Sequence, residues 1–524
     1  MSFILRSFVV WWRLLRPYLL PTVKAFLNSK VMDFEPNKER VQLEKANEAV
    51  NYSMQAIRKR KREDRVFLRR FIVFFVTLQA MKVTDNYAFL TKGPIHHVIW
   101  TLAVPTIISM LITNVYNIVD TFFVGQIDTQ STAAVGVVFS LMFVVQAFSF
   151  FFGNGSGNYI ARQLGARNRH KAERMASTAF FYALCSGTLL AVLGLVFLTP
   201  ISKMLGSTPT ILPYTERYLG ISLLGVPFLM GSFCINNQMR FQGYARYSMY
   251  GMVSGAVLNC VLDPIFIFGL RMGVAGAALA TVVGYIFGFI VMLRMTRMNP
   301  NIIRYSAKRI SFSLVYIKEI LAGGTPSISR QGLAAVASIA LNVAAGGYGD
   351  AAIAAMSIVN RISMFVYSVV VGLGQGFQPL CGFCFGAKLY ERIKEGYSFC
   401  LKVGTVFLVL WAVFLFFFSK EAIALFRNDP EVIAVGTSAL HYQIISYPLI
   451  AVLTVSNMLM QTCRKTIRAN ILAAARQGLF FVPLIIILPH YFGLTGVECC
   501  QAVSDVLAFL LAVPLVRWAF REMA

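Results

Sequence analysis

The segment NVYNIVDTFFVG sets a carboxylate, Asp120, near the end of an otherwise apolar run, with Asn114 and Asn117 leading up to it at three-residue steps. A second segment, VLNCVLDPIF, carries Asn259 and Asp263 four residues apart, hence on one face of a helix. A third, GAALATVV, carries Thr281. Two carboxylates, an amide carbonyl and a hydroxyl are hard oxygen ligands that suit Na⁺, and the same two acids can share a proton. Pro264, directly after Asp263, lacks an amide hydrogen, so it frees the Cys260 carbonyl one turn back and bends the helix.

What these acids do depends on the elements that hold them. The chain of 524 residues is 57% hydrophobic and 14% charged, with 44 Phe, which is too apolar for a water-soluble globule. A spanning helix needs roughly 20 apolar residues. Such stretches follow one another near 98–124, 131–154, 176–199, 211–234, 245–270, 274–296, 317–345, 352–378, 398–418, 433–461, 469–489 and 495–517. The fold class is therefore all-α integral membrane, with about twelve transmembrane helices. A carboxylate at the centre of a bilayer costs about 2.5–3.5 kcal/mol, so two together call for a proton or a cation. The first and fifth helices run outward and the sixth returns, which brings Asp120, Asn259, Asp263 and Thr281 to a common level. Asn114 and Asn117 then form a polar path leading away from it. Read structurally, Asp263 and Pro264 would instead mark a helix break at the membrane interface, with Asp120 facing outer water.

The formal charge of +25, from 48 Lys and Arg against 23 Asp and Glu, is distributed as a membrane protein distributes it rather than as a nucleic-acid binder would. Alternate connections are basic, among them Arg162 to Arg174, Arg294 to Arg309, Lys388 to Lys394 and Arg464 to Arg468, and the intervening ones are poor in bases. The rule that positive loops stay inside then puts both ends of the twelve-helix region in the cytoplasm, with the protein in the cytoplasmic (inner) membrane.

The region is an internal repeat. Pro105 matches Pro326, Ala133 matches Ala354, Gly165 matches Gly386, Pro209 matches Pro430 and Pro227 matches Pro448, always at an offset of 221, and Gly273 matches Gly493 after a one-residue slip. Six helices per half is an even number, so the halves are parallel repeats, the architecture of an alternating-access transporter with its substrate between two lobes. The expected organisation is an N-lobe over 93–303, a cytoplasmic linker over 304–316 and a C-lobe over 317–524. Residues 1–92 stand outside the repeat. With 16 bases against 7 acids in the first 80 residues, they read as a basic amphipathic extension on anionic lipid, or as a start assigned upstream of Met81.

The second half carries charges of its own: Arg330, Arg361, Arg476 and Asp505. Asp505 must find a partner, and one of these arginines is the obvious one; the group is either a gate that orients substrate or a structural ion pair. The nine cysteines fall mostly inside spans, and the C-x-x-C of Cys381 and Cys384 reads as packing. Gly251 and Gly255 form a GxxxG that reads as close helix contact. No G-x-x-x-x-G-K-[ST] loop is present, so ATP is not the energy source, and no enzymatic constellation is seen.

The segments PTIISMLITNVYNIVDTFFVGQ, GSGNYIARQLGAR, NCVLDPIFIFGLRMGVAGAALAT, PSISRQGLAA, IVNRISMFV, GLGQGFQPLCGFCFGA and RQGLFFVPLIIILP, in this order, resemble the MATE (multidrug and toxic compound extrusion) family over about residues 88–520. The resemblance implies two six-helix lobes in a V and Na⁺- or H⁺-driven export of amphipathic, often cationic compounds. In the branch with a first-lobe cation site the ligands correspond to Asp120, Asn259, Asp263 and Thr281. Another branch uses a Glu on helix seven and an Asp on helix ten, and neither stands at the corresponding places here. No cofactor is implied beyond the coupling ion. The expected partners are the bilayer and amphipathic small molecules, with no nucleic acid, and a monomer is expected. The reading from a different class is a flippase for a lipid-linked oligosaccharide or peptidoglycan precursor, which would want a strongly cationic cavity.

Overall fold

The computed structural model describes residues 86–523. The chain divides into two units, Met1–Thr84 and Asp85–Ala524, and the extension expected over 1–92 lies outside the described residues but for its last seven. Those seven, Asn86–Lys92, form a short helix that belongs with the second unit: Leu90 is fully buried and its carbonyl accepts from Arg392.

Among the described residues twelve helices are long and apolar enough to cross a membrane. In the first half they are α1 (Ile95–Val124), α2 (Gln130–Gly165), α3 (Arg169–Val196), α4 (Leu212–Phe241), α5 (Ala245–Gly269) and α6 (Val274–Met298). The second half has α7 (Leu314–Gly346), α8 (Asp350–Gly386), α9 (Tyr390–Phe417), α10 (Pro430–Thr462), α11 (Thr466–Phe492) and α12 (Leu494–Arg521). The class is all-helical, as the apolar runs predict. The repeat is visible in the backbone itself. Gly273 and Gly493, which open α6 and α12, adopt φ of 57° and 58°, a conformation that only glycine takes without strain.

Boundaries differ from the apolar runs where it matters most. α2 has 36 residues and α8 has 37, about 55 Å at 1.5 Å per residue, against a hydrocarbon layer of roughly 30 Å. The runs 131–154 and 352–378 are only their apolar parts. Each helix continues for two to three turns through GNGSGNYIARQLG or QPLCGFCFG, and Arg162, which a linear reading counts with a basic loop, is a buried residue inside α2.

An even number of spans brings the start of α1 and the finish of α12 to one end of the bundle, called here the terminal end. Each half has an apolar core of its own, one around Phe150, Met175, Leu219 and Phe233, the other around Val366, Leu408, Tyr447 and Phe481. A third core, at the terminal end, draws on both halves: Leu102 and Ala103 of α1 and Ala161 of α2 pack with Phe377, Leu380 and Cys384 of α8. Small residues let the backbones meet there. A Cβ on Gly372 would lie 2.6 Å from Ile107, and one on Gly376 2.5 Å from Ala103. The halves are thus joined at the terminal end.

Candidate functional site

Between the halves lies a cavity of about 380 Å³. Its wall combines methionines and aromatics, among them Met110, Met142, Met252, Met292, Met364, Phe139, Phe143 and Phe150, with a few polar groups. The charged residues of the wall are Asp120, Arg330 and Arg476. Met and aromatic side chains repack around ligands of different shape, which suits a surface that accepts more than one compound.

α1 turns Asn114, Asn117 and Asp120 toward this cavity, and all three line it. Asn114 donates to Ser368 of α8, 2.7 Å away, a contact between halves. In the wall itself α5 and α6 meet through glycine: a Cβ on Gly255 would sit 2.7 Å from the Gly284 carbonyl. The GxxxG is therefore close packing, with Gly251 against Met292 and Gly255 against α6. That approach lets Asn259 reach across, its amide donating to Asp263 Oδ1 at 3.3 Å and to Thr281 Oγ1 at 3.2 Å. Asp263 is fully buried, Asn259 and Thr281 nearly so, and Asp120 is 8% exposed. Asp120 lines the cavity in the same wall as Asn259 and Thr281.

Three oxygens of this group are buried without a hydrogen-bond partner: Asp120 Oδ1, Asp263 Oδ2 and Asn259 Oδ1. Orphaned acceptors in an apolar setting are unfavourable by about 1–3 kcal/mol each, more when charged. Such oxygens offer free lone pairs to a small cation or a proton. α5 is α-helical up to Pro264 and continues as a π turn over Ile265–Gly269. The proline thus marks a change of helical winding just past Asp263 rather than the end of the span. Three tyrosines, Tyr116, Tyr218 and Tyr285, line the cavity together with Asp120. Sequence reading missed them because a tyrosine in an apolar helix carries no sign of which face it shares with a carboxylate.

In the second half Asp505, fully buried on α12, is paired with Arg476 at 2.7 Å (Nε to Oδ1), with a second, longer contact at 3.4 Å. Ser446 and Gln501 donate to the same carboxylate at 3.0 and 2.8 Å, and the Arg476 guanidinium lies over the Tyr367 ring. Arg476 sits in a π turn of its own, Ala475–Leu479, in the fifth helix of its half. Arg330 donates to the Asn457 carbonyl oxygen at 3.2 Å. Arg361 is not brought into the group: it is exposed on α8 and outside the cavity wall. Cys381 and Cys384 are buried, with Cys381 Sγ 3.6 Å from Cys463 Sγ.

The MatE family model matches residues 105–265 and again residues 326–487, once in each half. The chain belongs to the MATE family. Among curated relatives of this MATE protein, the multidrug export protein MepA of Staphylococcus haemolyticus (strain JCSC1435) is 29% identical over 417 residues, 79% of this chain and 91% of that one. MepA of Staphylococcus aureus (strain MSSA476) is 27% identical over 440 residues, 83% and 96% of the two chains. Among solved structures, the outward-facing conformation of a multidrug resistance MATE family transporter of the MOP superfamily superposes with a TM-score of 0.80 at 24% identity. It covers 84% of this chain and 99% of that one. A MOP superfamily transporter from Pyrococcus furiosus, for which a reverse polarity of the binding pocket was taken to suggest a different function, gives 0.79 at 24% identity with the same coverage. The protein is thus a multi-pass membrane transporter of the MATE family and not an enzyme.

Proposed function

We propose that this protein is a secondary multidrug exporter, in which Na⁺ or H⁺ entering at Asp120 and Asp263 drives the release of amphipathic, often cationic compounds from the cavity. The observation that carries this reading is the set of unpartnered acid oxygens beside a Met- and aromatic-lined cavity between two halves. A cation or proton neutralises the two acids and supplies the partner that Asp120 Oδ1, Asp263 Oδ2 and Asn259 Oδ1 lack, with Thr281 as a further oxygen. Asp120 is the carboxylate of the set that also lines the cavity, with Asn259 and Thr281 in the same wall. Its neutralisation removes the charge that attracts a cationic substrate and disfavours the substrate-bound form. Coupling requires the ion to bind one state better than the other, since tight binding to both shifts nothing. The terminal end is the cytoplasmic one, by the basic connections gathered there, and the membrane is the cytoplasmic membrane. The protein acts as a monomer.

The flippase reading is weaker on charge. Arg476 is paired with Asp505, and Arg330 shares the cavity wall with the acid Asp120, so the wall is not strongly cationic. Ethidium efflux from proteoliposomes under imposed Na⁺ or H⁺ gradients tests the proposal. Export that depends on one gradient supports it, and export indifferent to both gradients overturns the coupling.

A further inference from the structure

We propose that Arg162, Glu319 and Arg464 form a charge clasp that holds the terminal end of the cavity shut, with Glu319 as its pivot, and that the cavity opens toward that end when the clasp parts. This rests on the alternating-access reading above. Arg162 Nη2 on α2 lies 2.7 Å from Glu319 Oε2 on α7, and the other oxygen of that carboxylate takes Arg464 Nη2 at 2.7 Å. Arg162 also donates to the Thr462 carbonyl at 2.9 Å. Among the ion pairs of the described residues, Arg162 with Glu319 is the one that joins the two halves. Both are buried, 8% and 7% exposed.

Around the clasp, polar and small residues meet across the seam. One to three turns toward the cavity, Asn154 donates to Ser327 at 2.9 Å, Gln461 to Ser327 at 2.9 Å, and Thr462 to Asn158 at 2.8 Å. Beside them Gly155 faces Gly323 and the Ile320 carbonyl with no room for a Cβ. These groups exchange protein partners for water on opening, while Tyr159 against Tyr316, and Ile320 in the apolar cluster of the first half, are the contacts that opening has to break. This layer lies in the polar last third of α2.

One carboxylate between two guanidinium groups makes the clasp asymmetric. Arg162→Gln leaves Glu319 satisfied by Arg464. Glu319→Gln leaves two arginines that feel each other's charge across the seam, so like-charge repulsion is added to the lost pair. A bridge that served only as glue would change exchange at the seam and leave efflux as it is.

Hydrogen exchange by mass spectrometry on the purified full chain, alongside ethidium efflux, separates the two. We expect Glu319→Gln to raise exchange in peptides covering 155–166 and 316–327 by about tenfold and to slow efflux, with Arg162→Gln several-fold milder. Glu319→Asp, which keeps a carboxylate between the two guanidinium groups, should restore most of both. Equal effects of the two single variants, unchanged exchange in Glu319→Gln, or a rise that extends to α5 and α6, would overturn the clasp. If the wild type fails to export while these exchange differences hold, the transport reading fails and the seam closure stands.

Discussion

At the scale of single residues, the two acids of the first half and the one of the second carry different expectations. Asp120 and Asp263 have an unpartnered oxygen each. Replacing either by Asn keeps the size and removes the charge that an ion would neutralise. Asp120→Asn and Asp263→Asn should therefore each reduce gradient-driven ethidium efflux at least about tenfold, with unchanged yield and gel-filtration profile. Efflux at the wild-type rate in both would make the group structural. Asp505 has no spare acceptor: Arg476, Ser446 and Gln501 use it fully. Asp505→Asn leaves a buried guanidinium without its counter-charge, and breaking such a pair costs about 3–5 kcal/mol. A marked fall in thermal stability in detergent is expected there, with no change of ion specificity in whatever activity survives.

At the scale of elements, the site depends on how closely α5 and α6 approach. Gly255 lies against the Gly284 carbonyl one helical turn from Asn259, so a methyl group there pushes the helices apart where Asn259 reaches Thr281. Gly255→Ala should destabilise by about 1–3 kcal/mol, as overpacking of a filled contact does, and weaken dependence on the driving ion. Gly269→Ala, in open space at the end of the same helix, should do neither. Thermal unfolding and efflux on the two variants make the comparison. The long helices α2 and α8 show where linear reading falls short. Asn154, Asn158 and Arg162 look like the polar end of a span, yet they continue the helix and are buried against the other half. Polarity along one chain signals water, and only the partner helix shows that another protein surface has taken the place of water.

At the scale of the whole molecule, an even number of spans and the basic connections predict a sidedness that labelling can check. A cysteine placed at Asp128, between α1 and α2, should react with a membrane-impermeant maleimide on intact cells. One placed at Lys388, between α8 and α9, should react only after permeabilisation. The unsubstituted protein, with nine free cysteines of its own, supplies the background. The reverse pattern would invert the direction of transport.

The sequence by itself determined the membrane class, the twelve helices, the twofold repeat and the acids worth testing. Each of these is written in local chemistry: apolar run length, fixed offsets between prolines and glycines, and charges that are expensive in lipid. The choice of Arg476 over Arg330 or Arg361 as the partner of Asp505 was left to the fold, because three arginines of like chemistry differ only in which helix face they occupy. The tyrosines around Asp120 and the ion pair of Arg162 with Glu319, 157 positions apart, were likewise decided by tertiary structure. Neither residue of that pair bears any mark of the other, and only the packing of two halves across glycine surfaces brings them within 2.7 Å.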